Sequence, residues 1–251
     1  MSHTSETALI TGGAGGIGRA LAVRLQARGV RVAVTSRDPA RLETAVGDLR
    51  LAVDATTPEG IAQALATCQA TWGAPPRLLA HCIGSTLIAP LHRTRPAQAR
   101  ELLRVNLDSA VFALAAWVDA LRQASCGGSA VLMSSVVARI GVGNHEVISA
   151  AKAGVEGLAR GAAATYASQG LRVNVVAPGL TETPLSAGLT QQPEMRAAAA
   201  RQYPLPHARG VQTADDVAGV IDWLLSEQAA RITGQVLPVD GGFTAIRPLV
   251  R

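Results

Sequence analysis

Short apolar segments alternate with longer amphipathic segments along most of the chain. The apolar segments predict strands at 8–10, 30–35, 49–53, 78–83, 130–134, 173–177 and 236–239. Between them, apolar residues recur at helical spacing and predict helices at 17–28, 59–72, 97–124, 149–168 and 213–225, with a further helix beginning at Asp38-Pro39. Such alternation favours right-handed crossovers and parallel strands. The pattern therefore predicts an α/β fold, a doubly wound parallel sheet of about seven strands with helices on both faces.

The whole chain, residues 1–251, is predicted to form a single domain. Its length is usual for one α/β domain, 48% hydrophobic residues supply a core, and no Pro/Gly/Ser tract divides it. Residues 178–210 have poor periodicity and are expected to be irregular. No apolar stretch reaches the roughly 18 residues that span a bilayer, and the N-terminus lacks the order of a secretory signal. We therefore expect a cytoplasmic protein without a membrane partner.

Charge and cysteine usage argue against nucleic-acid and metal binding. The net charge is +5, but the arginines are scattered and the chain has only three Trp, two Tyr and two Phe. A nucleic-acid surface needs clustered cations and stacking rings. Cys68, Cys82 and Cys126 lie far apart without ligand spacing, so they are interpreted as structural thiols. No nucleic-acid partner and no metal site are expected.

A glycine cluster follows the first predicted strand and opens the first helix. Gly12, Gly16 and Gly18 have the spacing GxxxGxG, with Ile17 inside it. Such a loop presents backbone N–H groups and a helix N-terminus to a pyrophosphate, which gives the Rossmann-type dinucleotide site. A plain tight turn is the alternative interpretation. The position of the cluster in a strand–loop–helix unit favours dinucleotide binding.

Residues that end the second and third strands bear on the choice of cofactor. An acid after the second strand suits the ribose hydroxyls of NAD, whereas arginine suits the 2′-phosphate of NADP. Here Ser36 and Arg37 stand at that point, and Asp38 is explained as a helix cap. NADP(H) is therefore favoured over NAD(H), with Arg37 as a solvated surface charge as the alternative. Asp54 is a candidate partner of the adenine amino group, or else a helix-cap residue.

Six motifs together resemble the short-chain dehydrogenase/reductase family, and most closely its 3-oxoacyl-(acyl-carrier-protein) reductase branch. They are TGGAGGIG at 11–18, VNL at 105–107, SS at 134–135, AKAG at 151–154, RVNVVAPG at 172–179 and VDGG at 239–242. The resemblance runs essentially from end to end. It implies a carbonyl or alcohol substrate, possibly an acyl thioester, and a homo-oligomer, tetramer or dimer.

The resemblance also implies a catalytic set. Asn106 would hold a water in a proton relay, Ser135 would polarise the substrate carbonyl, and Lys152 would bind the nicotinamide ribose. The family has a tyrosine four residues before the lysine, where it protonates the carbonyl oxygen. This chain has Ile148 at that position. An isoleucine cannot move a proton, so the implied set is incomplete.

Of two further segments, one retains the family pattern and the other departs from it. The carboxamide-binding segment is preserved, so Pro178, Gly179, the Leu180 amide and the Thr183 hydroxyl are implied cofactor contacts. The fourth-strand motif, usually Asn-Asn-Ala-Gly, reads His81-Cys82-Ile83-Gly84 and retains only Gly84. We expect a slightly altered adenosine side.

A strong reductase would need another proton donor in place of the tyrosine. His145 precedes Ile148 by three residues, which puts both on a similar face if the turn is helical. It is a candidate acid, with an ordinary loop residue as the alternative. Glu146, Tyr203 and His207 are lesser candidates, and Tyr166 is interpreted as structural.

Three functions remain open from the sequence. The first is an NADP-dependent oxidoreductase that uses another acid, a bound water or the substrate's own proton. The second is a cofactor-binding but inactive subunit that assembles with an active paralogue as a hetero-oligomer. The third is a non-redox enzyme, such as an isomerase, cyclase or dehydratase. Substrate choice would depend on a covering segment at about 180–210.

Overall fold

The computed structural model describes residues 6–205 and 211–247. Its strands are β1 (Thr7–Thr11), β2 (Arg31–Ser36), β3 (Leu49–Ala52), β4 (Leu78–His81), β5 (Gly128–Met133), β6 (Leu171–Pro178), β7 (Thr181–Glu182), β8 (Gln212–Thr213) and β9 (Val236–Val239). Its helices are α1 (Gly16–Ala27), α2 (Pro39–Glu43), α3 (Pro58–Trp72), α4 (Pro96–Leu103), α5 (Ser109–Gln123), α6 (Glu146–Tyr166), α7 (Ala187–Thr190), α8 (Pro193–Ala200) and α9 (Ala214–Leu225).

Seven strands form one sheet in the order β3-β2-β1-β4-β5-β6-β9, and every pair is parallel. The strand order reverses between β1 and β4, which is the topological switch point where α/β proteins bind ligands. The predicted doubly wound fold is confirmed. A second, two-stranded parallel pair joins β7 to β8, and the sequence pattern did not predict it.

The two faces of the sheet carry separate apolar cores. On one face α3, α5 and α6 cover the sheet, with Trp117 and Leu121 of α5 fully buried. On the other face α1 packs against α9 through fully buried residues such as Leu25 and Ile221. Burial on both faces explains why the inner strands read as continuous apolar runs rather than as alternating patterns.

Local capping sets where several helices begin. The Asp38 carboxylate accepts a hydrogen bond from the Ala40 amide at 3.1 Å, so its interpretation as the cap of α2 is correct. Thr57, and not Asp54, caps α3 by accepting from the Gly60 amide at 3.1 Å. Thr213 and Asp216 form a capping box at the start of α9.

Two predicted segments differ from the structure. The helix predicted over 97–124 is two helices, α4 and α5, separated by a π-helical turn at Arg104–Asp108. Helical periodicity continues through such a turn, so the pattern alone did not reveal it. The segment 178–210, expected to be irregular, contains the short helices α7 and α8. Within the described residues, no helix has the length and apolar character needed to cross a bilayer.

Candidate active site

The glycine loop turns tightly between β1 and α1. Gly12 has φ +70°, a left-handed conformation that disfavours other residues. A Cβ at Gly18 would lie 2.7 Å from the Gly12 carbonyl oxygen, so only glycine lets α1 approach the loop this closely. A Cβ at Gly16 would lie 2.7 Å from Cγ2 of Thr183, which brings the carboxamide segment against the loop. Ile17 is half-buried and packs against the α1–α9 core.

The end of β2 lies beside this loop, and the end of β3 lies beside that of β2. The Ser36 hydroxyl donates to the Asp38 carbonyl oxygen at 3.1 Å, while Arg37 is exposed. Asp54 accepts two hydrogen bonds from Thr56, at 3.0 and 2.7 Å. Burial acts to raise the pKa of Asp54, but the Thr56 hydrogen bonds and the charges of Arg37 and Arg104 outweigh it, so the pKa is lowered. Asp54 is therefore a carboxylate at neutral pH.

Two further arginines border the glycine loop and were missed by the sequence reasoning. An open groove of about 510 Å³ is lined by Gly15, Gly16, Arg19, Arg41, Thr44 and Pro184. The Arg19 guanidinium donates to the Thr44 hydroxyl at 3.0 Å, which fixes it at the groove. Arg19 lies on α1 and Arg41 on α2, and nothing in the sequence pattern distinguishes them from other surface arginines. Only the folded structure shows that they line the same groove.

The π-helical turn presents Asn106 to the end of β4. The Asn106 amide donates to the Ser85 hydroxyl at 3.0 Å and to the Leu102 carbonyl at 2.9 Å. Its oxygen accepts from the Ser85 amide at 3.2 Å. A Cβ at Gly84 would lie 3.2 Å from that oxygen. Asn106 therefore fixes the backbone at Gly84 and Ser85, a positioning role that the sequence did not predict.

Lys152 lies on α6 and is buried against the end of β5. Its ammonium donates to the Met133 carbonyl oxygen at 3.0 Å, and only 7% of the residue is exposed. Burial lowers the pKa of Lys152 to about 8. A Cβ at Gly84 would lie 3.6 Å from the ammonium nitrogen. Lys152 and Asn106 thus both lie next to Gly84.

Ile148 and Ser135 belong to α6 and to the residues after β5, the two elements that the Lys152–Met133 hydrogen bond joins. Ile148 is buried, 5% exposed, one turn before Lys152 on α6. Four-residue spacing puts both side chains on one face of that helix. Ser135 follows β5 directly, is half-buried, and its hydroxyl accepts a weak hydrogen bond from the Val137 amide at 3.4 Å. The site therefore has a hydroxyl and an ammonium, with an apolar side chain one turn before the ammonium.

His145 does not meet the helical premise on which it was proposed. It is the N-cap of α6, with φ −116° and ψ 19°, outside the helical region. Its Nδ1 lies 2.7 Å from the Gly143 carbonyl oxygen, which ties the ring to its own loop. Glu146 is exposed at the first turn of α6, and His207 lies outside the described residues. Tyr166 packs against the core, as expected.

The carboxamide segment leaves β6 and is held by Tyr203. The Leu180 amide donates to the Tyr203 hydroxyl at 2.6 Å. A Cβ at Gly179 would lie 2.9 Å from the same ring, so glycine is required there. Burial raises the pKa of Tyr203. The Thr183 hydroxyl lies 3.2 Å from that of Ser186, and Pro178 is the last residue of β6.

His81 explains one departure from the family pattern. Its Nδ1 lies 2.8 Å from the Thr11 hydroxyl and its Nε2 lies 3.0 Å from the Ser109 hydroxyl. The ring therefore links β1, β4 and α5 beneath the site, and does not face the groove. The next two residues, Cys82 and Ile83, are half-buried, and Cγ1 of Ile83 would lie 3.1 Å from a Cβ at Gly12.

These features fit a dinucleotide better than they fit a metal ion. Glycines at the loop leave space that a Cβ would fill, and the cationic residues Arg19 and Arg41 line the adjoining groove. Among the residues that the structure describes, no group of three or more His, Cys, Asp or Glu could hold a metal. A groove lined by glycines and arginines suits a phosphate-bearing ligand.

Comparisons with known proteins agree with this geometry. A family model described as enoyl-(acyl carrier protein) reductase matches residues 12–244. The chain is 36% identical over 254 residues to cis-4-hydroxycyclohexanecarboxylate dehydrogenase of Sinomonas cyclohexanicum, covering 98% of this chain and 99% of that protein. It is 34% identical over 250 residues to 3-oxoacyl-[acyl-carrier-protein] reductase of Escherichia coli, covering 96% and 98%.

A solved structure agrees over the same length. The short-chain type dehydrogenase/reductase from Mycobacterium ulcerans superposes with a TM-score of 0.90 at 30% identity, covering 98% of this chain and 92% of that one. The family model, the sequence relatives and the solved structure all match nearly the whole chain and indicate the same family. The chain therefore belongs to the short-chain dehydrogenase/reductase family, whose members are oxidoreductases that bind NAD(P).

Proposed function

We propose that this protein is an NADP(H)-dependent carbonyl/alcohol oxidoreductase whose catalytic set lacks the family's tyrosine. The observation that carries the proposal is the convergence of the glycine loop, Lys152, Asn106 and Ser135 at the carboxyl ends of neighbouring strands. The loop would hold the pyrophosphate, and the Lys152 ammonium would bind the nicotinamide ribose. When bound, the nicotinamide supplies or accepts a hydride at the carbonyl carbon.

The preference for NADP(H) is supported by the charges around the groove. Arg37, Arg19 and Arg41 are cations near the end of β2 and the glycine loop. The nearest acid after β2, Asp38, is occupied as the cap of α2. A 2′-phosphate would therefore meet cations, whereas the ribose hydroxyls of NAD would lack the usual acidic partner.

The substrate would lie between Ser135 and the segment 180–210. The Ser135 hydroxyl would donate a hydrogen bond to the substrate oxygen and stabilise the charge that develops there. The named relatives act on a cyclohexane alcohol and on a 3-oxoacyl thioester. A small ketone or a 3-oxoacyl thioester is therefore the substrate class that we propose, in a homo-oligomer typical of the family.

Ile148→Tyr tests the proposal directly. Purified protein is titrated with NADPH and NADH, and reduction of 4-oxocyclohexanecarboxylate and acetoacetyl-CoA is followed at the nicotinamide absorbance. We expect NADPH to bind more tightly than NADH. Since a general acid contributes about 10²–10⁴-fold, Ile148→Tyr should raise kcat/KM by up to that factor. Ile148→Phe supplies the ring without the hydroxyl and should give no such increase.

One observation favours a second function, that of an inactive cofactor-binding subunit. The Leu180 amide, an implied carboxamide contact, already donates to Tyr203. Under this alternative the protein would bind NADPH but reduce neither probe, and activity would appear only on mixing with an active paralogue. Absence of binding to either nucleotide would refute both functions.

A further inference from the structure

Among the residues that the structure describes, no carboxylate pairs with the Lys152 ammonium. The ammonium donates a hydrogen bond to the Met133 carbonyl oxygen instead. The carboxylate nearest along α6, Glu156, lies one turn further on. Its Oε1 accepts from the Ser134 hydroxyl at 2.9 Å, and its other oxygen lies 3.8 Å from Arg160. Glu156 is thus engaged elsewhere.

The titratable groups that face the ammonium are both neutral near pH 8. They are His81 and Cys82, at the end of β4. Burial, together with the Lys152 charge, lowers the pKa of His81 to about 3, so the ring is uncharged. Burial raises the pKa of Cys82 to about 12, so it remains a thiol and supplies no negative charge. Burial is therefore the main influence on Lys152, and it favours release of a proton.

The ammonium lies close to an exposed position without a side chain. Gly84 is exposed, and a Cβ there would lie 3.6 Å from the Lys152 nitrogen, so any other residue at this position would contact the ammonium. One turn earlier on the same face, Ile148 can neither donate nor accept a proton. With one N–H donated to Met133, two N–H groups remain for a ribose hydroxyl and for a substrate oxygen or an intervening water.

Resting on the proposed function, we infer that Lys152 is itself the general acid of the reaction. As the hydride that a bound reduced nicotinamide would give up bonds to the carbonyl carbon, the nicotinamide is oxidised and the C=O π pair moves to oxygen. That oxygen takes a proton from the Lys152 ammonium, and the alcohol O–H bond forms. The N–H electron pair stays on nitrogen as a neutral amine, which water reprotonates. In the oxidative direction the neutral amine removes the hydroxyl proton.

The contacts of Tyr203 and His145 make these two residues less suitable than Lys152 as proton donors. The Tyr203 hydroxyl is bound to the Leu180 amide, and burial raises its pKa, which makes it a poorer acid. His145 is tied to the Gly143 carbonyl at the N-cap of α6. Both remain outcomes of the test. Activity that is lost in Tyr203→Phe or His145→Ala, but retained in the Lys152 variants, would overturn the inference.

The first measurement reads the amine directly. Because Lys152 is the sole lysine, protein labelled with carbon-13 lysine gives one side-chain Cε signal whose chemical shift reports its titration. We expect a midpoint near pH 8, well below the ordinary value of 10.5. A midpoint at or above 10 in the NADPH complex would refute the inference, since the ammonium would then be an ordinary weak acid.

The second measurement separates an acid from a ribose ligand. Lys152→Arg keeps a cation that can bind ribose but cannot release its proton near neutral pH. It should reduce kcat about 10²–10⁴-fold while NADPH affinity changes only a few-fold. In the Ile148→Tyr background the same substitution should cost far less, because the phenol then supplies the proton. Equal losses in both backgrounds would mean that Lys152 acts only by binding or positioning.

Controls keep failure of the inference distinct from failure of the proposed function. Lys152→Met removes the charge without adding bulk, and thermal melts show whether each variant folds. If the wild type binds NADPH and reduces neither probe while Ile148→Tyr reduces them, Lys152 does not deliver the proton. If neither nucleotide binds, or if both proteins are inert with NADPH bound, the oxidoreductase proposal itself fails.

Discussion

At the scale of single residues, the glycines of the loop have a steric role that the glycine content of the chain does not reveal. Twenty-five glycines occur in the chain, but few of them exclude a side chain as firmly as Gly18. Its Cβ would meet two backbone groups, the Gly12 carbonyl oxygen at 2.7 Å and the Gly13 Cα at 2.8 Å. Backbone cannot rotate away as a flexible side chain does, so the loop itself would have to move.

Gly18→Ala is therefore expected to cost about 1–3 kcal/mol of unfolding free energy, because the added methyl overpacks the loop. It should also weaken NADPH binding, since the displaced loop carries the proposed phosphate contacts. Chemical denaturation and nucleotide titration measure the two effects. Gly157→Ala is the matched control, because Gly157 is exposed on α6 with open space at its Cβ. Alanine there should stabilise by up to about 1 kcal/mol, and equal losses in both variants would contradict the steric account.

At the scale of elements, α1 and α9 are joined by an ion pair and by apolar packing. Arg24 makes two hydrogen bonds of 2.6 Å to the Asp215 carboxylate. These side chains are 38% and 64% exposed, so water and salt screen the pair. Beneath them, Ile221 is fully buried in the same interface. Apolar packing therefore supplies most of the stability of this helix pair.

Two substitutions on α9 measure that difference. Asp215→Asn should lower the free energy of unfolding by less than about 1 kcal/mol, and less again in high salt. Ile221→Ala should lower it by about 2–5 kcal/mol at any salt concentration, because it leaves a cavity in the core. Denaturant unfolding at low and high salt gives both values. A larger loss from Asp215→Asn than from Ile221→Ala would mean that the ion pair dominates.

The element scale also shows where the candidate active site departs from regular structure. The π-helical turn at Arg104–Asp108 interrupts α4 and α5 at the position of Asn106. Such turns are frequent at functional sites because they redirect one side chain without ending the helix. Here the turn points Asn106 at Ser85, next to Gly84, across from Lys152.

At the scale of the whole molecule, His81 connects the centre of the sheet to its covering helix. Its ring bridges hydroxyls of Thr11 on β1 and Ser109 on α5. Burial lowers its pKa to about 3, against an ordinary value of 6.5. Below pH 6.5 the unfolded chain takes up a proton that the folded protein does not. Stability is therefore expected to fall as the pH falls from about 6.5 towards 3.

Replacing this ring should reduce the acid sensitivity of the whole fold. Over the window between pH 6.5 and 3, His81 accounts for up to about 1.4 kcal/mol of lost stability per pH unit. His81→Asn retains a hydrogen-bonding side chain without that titration and should show a correspondingly shallower slope. His92→Asn, at an exposed position, controls for the loss of a histidine elsewhere. Unfolding curves measured across the window give the slopes, and identical ones for wild type and His81→Asn would contradict this explanation.

Much of the fold and part of the site could be predicted from the sequence. The parallel sheet was predictable because buried strands read as apolar runs and helices keep their own period. The glycine loop and the Asp38 cap were predictable because each depends on contacts within a few residues. The orientation of His145 could not be predicted, because a three-residue spacing has meaning only inside a helix and α6 begins one residue later.

The sequence by itself determined the order of elements, the family, and the presence of isoleucine at position 148 before a single lysine. Those are properties of local pattern and of residue identity. Only the tertiary structure decided that Arg19 and Arg41 border one groove, that Tyr203 holds the Leu180 amide, and that Lys152 is buried against the Met133 carbonyl. Each of these features depends on contacts between segments that are far apart in the sequence. The free-energy cost of burying the Lys152 charge arises only when those segments have packed together and excluded water.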